Sequence, residues 1–105
     1  MDLLAKRLKD ARTQAKLSQE RLGVLAGIDE MSASARMNQY ERGKHVPDFG
    51  TISRIAAVLE VPTAYFYAQE DEVAELLIRF HRLCRADQAK ILAFLNVLKK
   101  SIDPT

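Results

Sequence analysis

Arg36 and Gln39 lie three residues apart in the stretch 35–43, and both side chains are suited to hydrogen bonding with DNA bases. A guanidinium group can donate two hydrogen bonds to guanine, and a carboxamide can pair in the same bidentate way with adenine. On a helix, Met37 and Tyr40 would share one face. The opposite face would carry Ser34, Ala35, Arg36 and Gln39. This pattern is typical of a helix that enters the major groove, although an ordinary surface helix would fit it as well.

Helical periodicity and capping residues in the flanking sequence predict the elements that would position this stretch. Two predicted helices precede the one that contains it, and four follow. The predicted helices span residues 2–15, 18–26, 33–41, 48–61, 63–67, 70–85 and a last segment that begins at Ala86 or Asp87. The sequence therefore predicts an all-α chain.

Residues that start and end helices mark the second and third of these helices. Ser18 is the predicted N-cap of the second helix, and Gly27 would end it in the left-handed conformation. Residues 29–32 are predicted as a turn, with Ser32 as the N-cap of the third helix and Gly43 at its end. Two helices joined through a short turn with glycine are typical of a helix-turn-helix.

The fourth helix and the short fifth helix are predicted to complete a core. The fourth would face inward with Phe49, Ile52, Ile55, Ala56 and Leu59. Thr63 would cap the fifth helix, and Tyr65 or Phe66 would close the core. Stacking of DNA bases on these aromatic rings is the less favoured alternative.

Composition favours a soluble, cytoplasmic chain without metal or cofactor. The 105 residues are 48% hydrophobic, enough for one packed domain, and no apolar run reaches the roughly 18 residues that a membrane span needs. Cys84 is the only cysteine, which excludes an internal disulfide or a zinc finger and fits a reducing compartment. The two histidines, His45 and His81, lack metal-ligand spacing.

Positive charge is concentrated in the first half of the chain. The formal net charge is +2, but residues 1–46 contain nine Lys/Arg and six Asp/Glu, whereas residues 69–105 contain six of each. The excess lies in the half that holds the candidate recognition helix, as a surface facing phosphates requires. Solvated helix faces often carry a similar excess, so charge alone does not decide the function.

A set of spaced residues resembles the Cro/CI (XRE) helix-turn-helix family over about residues 3–68. These residues are Leu17-Ser18-Gln19, Leu22, Ala26-Gly27, Tyr40-Glu41-Arg42-Gly43, Pro47, Ile52, Ile55-Ala56, Leu59, Val61 and Phe66. The resemblance implies a five-helix lambda-repressor-like domain whose second helix abuts the DNA backbone and whose third lies in the major groove. We therefore expect a helix-turn-helix DNA-binding domain at 1–68 and a C-terminal two-helix hairpin at 69–105.

The family pattern also implies roles for individual residues. Base contacts are expected from Ser34, Ala35, Arg36, Asn38 and Gln39. Backbone contacts are expected from Gln19, Arg42 and Lys44. Arg12 and Glu41 resemble a structural ion pair that ties the first helix to the third.

One spacing departs from the family pattern. Thirteen residues separate Gly27 from Glu41, about four more than the common pattern has. The extra residues either lengthen the turn at 29–32 or add a turn to the start of the recognition helix. The choice decides which residues near 32–36 approach a base.

The last two helices lie outside the resemblance and are predicted to form a dimer contact. Together they carry more apolar surface than one hairpin can bury. The residues expected to contact a second copy are Leu76, Phe80, Leu83, Leu92 and Leu95. Packing of the whole hairpin on the first five helices is the alternative. Cys84 is expected near this surface, with a redox role as the less favoured interpretation.

These observations predict a sequence-specific transcriptional regulator, expected to act as a repressor that binds a pseudo-palindromic operator in double-stranded DNA as a homodimer. The alternative is an antitoxin-like or adaptor protein whose C-terminal hairpin binds another protein. An enzyme is not expected, because no nucleophile-elbow motif or phosphate-binding glycine loop occurs. The four glycines, at positions 23, 27, 43 and 50, are all predicted to lie at helix ends or turns.

Overall fold

The structure is a computed structural model that describes residues 2–98. All regular secondary structure in this range is helical, which confirms the predicted fold class. The elements are α1 (Leu3–Gln14), α2 (Gln19–Leu25), α3 (Glu30–Glu41), α4 (Phe49–Leu59), a 3-10 helix (Thr63–Tyr67), α5 (Asp71–His81) and α6 (Arg85–Val97). Any part of the predicted last helix beyond residue 98 lies outside the described residues.

Polar side chains start each of the first four α-helices. Asp2, Ser18, Asp29 and Asp48 each accept a hydrogen bond from a backbone N–H two or three residues ahead, at 2.8–3.1 Å. These bonds satisfy N–H groups that have no partner within the helix, and each contributes about 1 kcal/mol. The prediction of Ser18 as an N-cap is confirmed.

One apolar core lies between α1 to α4 and the 3-10 helix. Its largest fully buried side chains come from all five elements and are Leu8, Leu22, Met37, Ile52, Ile55 and Phe66. Burial of each such side chain contributes about 1.5–3 kcal/mol. Tyr65 is buried edge-to-face against Phe66, with ring centroids 5.2 Å apart, so both aromatic candidates close the core. The inward placement of Phe49 is wrong, because this first residue of α4 is exposed.

α2 and α3 approach each other closely at Gly23. A Cβ atom at this position would lie 2.9 Å from Ala33 Cβ and 3.1 Å from Met37 Cγ. Both distances are shorter than van der Waals contact between carbon atoms, so the approach requires glycine. The prediction that every glycine lies at a helix end or turn is therefore wrong for Gly23, which lies within α2. Gly27, with a φ of +90°, follows the end of α2 as predicted.

α3 begins about one turn earlier than predicted. Its first residue is Glu30, and the N-cap is Asp29 rather than Ser32, because the Asp29 carboxylate accepts the Met31 N–H at 3.1 Å. The extra residues therefore lengthen α3 and not the turn before it. Aspartate and serine are both favourable N-caps, which is why sequence alone left the two alternatives open.

α5 packs on the core, whereas α6 does not. α5 buries Ala74 and packs the half-buried Leu77 and Ile78 against the core. α6 has no buried residue along its whole length. The core therefore includes part of the segment that the sequence assigned to a separate hairpin.

The turn between α5 and α6 differs from the predicted one. α5 ends at His81 with Arg82 as its C-cap, whereas the prediction continued to residue 85. α6 begins at Arg85 after Cys84, slightly before the predicted start. Leu83 therefore lies in the turn between α5 and α6. The prediction extended α5 too far because apolar spacing alone does not show where a helix ends.

Candidate nucleic-acid interface

α3 separates its side chains into a buried face and an exposed face. Ala33, Met37 and Tyr40 are buried in the core. The exposed face carries Ser34, Ala35, Arg36 and Gln39. This division follows the helical period, so the packing of one face fixes which side chains the other presents to solvent.

Gln19, the first residue of α2, links the two helices of the motif. Its Nε2 donates to Glu41 Oε1 at 3.0 Å and lies 3.4 Å from Asn38 Oδ1. Asn38 is half-buried, whereas its neighbour Gln39 is exposed. Two of the residues predicted to contact DNA, Gln19 and Asn38, are thus also in contact with each other.

The structure brings Arg12 and Glu41 together in a bidentate ion pair. Nε and Nη2 of Arg12 donate to the two carboxylate oxygens of Glu41, at 2.5 and 3.0 Å, and Nη1 donates to the Leu17 carbonyl at 2.8 Å. Glu41 is only 4% exposed, so without Arg12 its charge would be buried without a cationic partner. The pair joins α1, the turn before α2 and the end of α3.

The end of α3 leaves two basic side chains in solvent. Gly43 has a φ of +74°, and the N–H groups of Gly43 and Lys44 donate to the Tyr40 and Gln39 carbonyls at 3.2 and 3.0 Å. This is the Schellman pattern of helix termination, in which a residue with a Cβ atom is strained. Arg42 and Lys44 are exposed on either side of the glycine.

An open polar groove of about 640 Å³ lies between α1, α2 and the end of α3. It is lined by Lys9, Arg12, Ser18, Gln19, Asn38, Glu41 and Arg42. Arg12 is paired with Glu41, whereas Lys9 and Arg42 have no ion-pair partner among residues 2–98. Sequence reasoning did not assign Lys9 to the site, although its spacing of three residues from Arg12 places both on one side of α1.

Asp48 is the N-cap of α4, and its side chain accepts a hydrogen bond from the Thr51 N–H at 2.8 Å. The pKa of the Asp48 carboxyl lies below its ordinary value, chiefly because the Thr51 N–H and hydroxyl donate hydrogen bonds to it. The positive charges of Arg54 and Arg36 lower this pKa further.

Three exposed apolar side chains lie near the ends of α3 and at the start of α4. The sequence analysis assigned none of them to the DNA-binding site. Met31 is 93% exposed in the first turn of α3. Val46 lies in the connection between α3 and α4, and Phe49 is the first residue of α4. Their positions in a loop or in the first turn of a helix could have predicted this exposure, because such residues often lie too far from the core to be buried.

The residues predicted for dimerisation are exposed or half-buried, and none is fully buried in the described part of the chain. Leu76, Leu92 and Leu95 are 55–60% exposed, Leu83 is also exposed, and Phe80 is half-buried. Further apolar side chains exposed on α6 or at its end are Ile91, Phe94, Val97 and Leu98. Apolar side chains therefore face solvent on several sides of α6.

Two kinds of feature are absent from the described residues. No group of three or more His, Cys, Asp or Glu side chains between residues 2 and 98 is placed to hold a metal ion. Within the same part of the chain, no helix combines the length and apolar character required to cross a bilayer. Cys84 is a free thiol and is exposed.

Comparisons with known proteins bear directly on this arrangement. A family model described as a helix-turn-helix domain matches residues 3–65, which contain α1 to α4. The crystal structure of the transcriptional regulator BswR is similar to the chain with a TM-score of 0.83 and 48% identity, over 90% of this chain and 93% of that chain. A search of curated proteins gives no match. The chain therefore belongs to the helix-turn-helix family of XRE-type, DNA-binding transcriptional regulators.

Proposed function

We propose that the chain represses transcription as a homodimer that binds a pseudo-palindromic operator with α3 in the major groove. The observation that carries this proposal is the exposed polar face of α3, opposite the buried residues Ala33, Met37 and Tyr40. The major groove of B-DNA is about 12 Å wide and admits an α-helix. The similarity to the transcriptional regulator BswR supports the same assignment.

Arg36 and Gln39 are the central base-contacting residues in this proposal. Both are exposed, and their side chains suit bidentate hydrogen bonds to guanine and adenine, respectively. Ser34 and Ala35 directly precede Arg36 and provide contacts from shorter side chains. Asn38 contributes from its half-buried position beside Gln19.

The ends of the helices bind the DNA backbone. Gln19 lies at the amino-terminal end of α2, where free N–H groups and the helix dipole favour an anion. Arg42 and Lys44 directly follow α3 and supply positive charge at its C-terminal end, where Gln19 also lies. Lys9 extends the same positive surface into the polar groove. These contacts set the register of the protein on the duplex but carry no sequence information.

The additional turn of α3 extends the surface that enters the groove. Met31 is almost fully exposed there and is suited to apolar contact with a thymine methyl group. Asp29 directs its carboxylate to the Met31 N–H, so this charge serves to cap the helix. The extended helix therefore begins with an apolar contact and continues with the polar face.

Exposed apolar side chains of α5 and α6 support dimerisation. An exposed apolar surface of this kind marks an interaction site in a soluble protein. A self-complementary surface produces a two-fold dimer, in which the two copies of α3 would lie about 34 Å apart, one turn of the duplex. Leu92 and Leu95 from each copy are the proposed centre of the contact.

Selection of bound sequences from a randomised duplex pool, together with sedimentation equilibrium, tests this proposal. We expect two inverted half-sites with centres about 10 base pairs or a multiple apart, and a dimer mass for the protein. A reporter promoter that overlaps the selected operator should be silenced by the protein. A variant with both Arg36→Ala and Gln39→Ala is the matched control, because both side chains are exposed and their loss leaves the core intact. Recovery of the same sequences by this variant would contradict the assignment of α3.

A second candidate function is the binding of a different protein by α6, as in an antitoxin-like or adaptor protein. The exposed apolar side chains on several sides of α6 are the observation that favours it. A monomeric mass for the purified chain, together with a one-to-one complex with a distinct small protein, would support this candidate over the homodimer.

A further inference from the structure

Arg7 of α1 holds the segment that leads into α5. Its side chain is buried, with 3% of the residue exposed. Nε and Nη2 donate to the Ala68 carbonyl at 3.1 and 2.8 Å, and Nη1 donates to Asp71 Oδ1 at 2.8 Å. The Tyr65 hydroxyl donates to the Arg7 carbonyl at 3.1 Å, and the guanidinium lies 5.9 Å from the centre of the Tyr65 ring. The first residue of α5 is thereby fixed relative to α1.

Arg82 makes the corresponding contacts at the other end of α5. It directly follows the helix, and its Nε and Nη2 donate to the Glu60 and Leu59 carbonyls at 3.0 and 3.1 Å. These carbonyls lie at the end of α4, where Glu60 has a left-handed backbone with a φ of 56°. Carbonyl groups at a helix C-terminus carry partial negative charge, which favours a guanidinium partner.

Apolar packing holds α5 only along part of its length. Ala74, Leu77 and Ile78 pack against the core. Beside them an open groove of about 410 Å³, lined mainly by polar and charged side chains, lies between α1 and α5. Beyond this packing, both ends of α5 are held by arginine side chains, one of which comes from α1 and the other of which extends to α4.

We propose that Arg7 and Arg82 are positioning residues that fix the orientation of α5 and thereby set the half-site spacing that the dimer accepts. The inference rests on the proposed function, because α5 connects the DNA-binding core to the proposed dimer contact. Arg7 is buried, and Arg82 contacts the end of α4. Neither residue is proposed to contact DNA or the second copy, so their effect on operator binding would be transmitted by α5. The arginines fix the position of each α3 relative to the dimer axis.

In this proposal, the rigidity of α5 determines how strongly the dimer prefers one spacing between the operator half-sites over others. When two DNA-binding units are joined, the second binds as an intramolecular event only if the connection spans both sites, with a gain of about 10²–10⁴ in affinity. A fixed α5 gives this gain at one spacing. An α5 released from its arginine contacts gives a smaller gain spread over several spacings.

Operators with altered spacing test the inference. Half-sites from the selected operator are moved apart in single base-pair steps up to about half a turn, about 5 base pairs. We expect the wild-type dimer to lose about 100-fold in affinity at the largest shift, and Arg82→Ala or Arg7→Met to lose less than about tenfold. Affinity for a single half-site should stay the same. Arg79→Ala, which removes another exposed arginine of α5, is the matched control. A wild-type spacing profile in both variants, at unchanged dimer mass, would overturn the inference.

A distance measurement tests the same inference without DNA. Spin labels are attached to native Cys84, just after α5, and to Glu20→Cys on α2, and the labelled chain is diluted with unlabelled Cys84→Ser protein. We expect a narrow distribution of the distance between the two labels in the wild-type chain and a broader one in Arg82→Ala. Arg82→Ala is preferred to Arg7→Met here because Arg82 is exposed, so its loss should leave the core folded. Equal widths would overturn the role of the arginines. Failure to select any operator would instead overturn the proposed function, and the distance distribution alone would then decide whether the arginines fix α5.

Discussion

α3 and α6 have nearly equal lengths, 12 and 13 residues, but differ in what they bury. α3 buries Ala33, Met37, Tyr40 and the carboxylate of Glu41, and it exposes a polar face. α6 buries no residue and exposes apolar side chains on several sides. The position of α3 is therefore determined by packing within the chain, whereas no packing among residues 2–98 buries a residue of α6. The comparison shows that two helices of similar length contribute very differently to the core.

The two helices also differ in the source of their stabilisation. α3 is held by the close approach at Gly23 and by the bidentate pair between Arg12 and Glu41. In the proposed dimer, α6 would be stabilised in proportion to the apolar area that the second copy covers, about 25 cal/mol per Å². Changes in the α3 contacts should therefore affect the folding of the single chain, and changes in α6 should affect assembly.

The largest expected effect is that of Glu41→Ala on folding. Loss of this buried carboxylate leaves Arg12 without its ionic partner and removes the shorter of the two hydrogen bonds of Gln19 Nε2, and we expect the free energy of unfolding to fall by about 3–5 kcal/mol. Urea denaturation measures the change. Glu20→Ala, which removes an exposed carboxylate from α2, is the control and should change the free energy by less than about 0.5 kcal/mol. Equal effects of the two substitutions would show that the Arg12–Glu41 pair does not hold α3 in the core, and the contrast with α6 would then lose this support.

Substitution of Leu92 and Leu95 by lysine should act on assembly. Both side chains are exposed, so helix content should be unchanged, while sedimentation should show a monomer. Operator affinity should fall by about 10²–10⁴, because the two half-sites are then bound independently. Asn96→Lys introduces a lysine at an exposed polar position of α6 and should leave the dimer intact. A dimer that survives the double substitution would refute the role of α6.

Arg36→Ala and Lys44→Ala should separate base recognition from backbone binding on α3. Arg36→Ala should lose about 1–3 kcal/mol at the selected operator and relax specificity there. Lys44→Ala should weaken binding to all duplexes alike and reduce the slope of affinity against salt by about one unit. Band shifts on selected and random duplexes at several salt concentrations measure both effects. Equal losses on the two duplexes for Arg36→Ala would place this residue on the backbone.

The smallest expected effect concerns the pH dependence of the α5 contact. The hydrogen bond from Arg7, and then the charges of Lys6 and Arg7, hold the pKa of Asp71 below its ordinary value of 3.8. Because the folded-state pKa is the lower one, the stabilisation is present above pH 3.8 and is lost as the pH falls through the folded-state pKa.

Urea denaturation of wild type and Asp71→Asn between pH 2 and 7 checks this expectation. The difference in unfolding free energy should be constant near neutral pH and should disappear in acid. The effect is small because the Asp71 side chain is 80% exposed and its ion pair is screened by solvent. Glu72→Gln is the control, because it removes a carboxylate from the same helical turn without contact to Arg7. A difference that does not vary with pH would show that Asp71 contributes by its shape and not by its charge.

The parts of the structure that sequence predicted are those with local causes. Ser18 and Gly27 determine the bounds of α2 through their own backbone and capping preferences, and they were identified correctly. The start of α3 was wrong because Asp29 and Ser32 are both suitable caps, and packing decides between them. The exposed positions of Arg36 and Gln39 followed from the helical period of their apolar neighbours.

Features that depend on distant residues could not be predicted. The role of Gly23 depends on Ala33, which approaches only when α2 and α3 pack together. Two of the hydrogen bonds of Arg7 go to the backbone carbonyl of Ala68, and every residue has such a carbonyl, so no side-chain pattern marks this acceptor. Arg82 likewise contacts carbonyls of α4. The Arg12–Glu41 pair was suggested by the family resemblance and not by any local pattern.

The division of α3 into two faces has a consequence for how the protein changes over generations. Ser34, Ala35, Arg36 and Gln39 lie in solvent, so substitutions there leave the buried face untouched. Under the proposed function, a combinatorial library at these four positions would vary the base preference on one unaltered scaffold. New target sequences would then need changes at only a few codons, while the core that supports α3 stays intact.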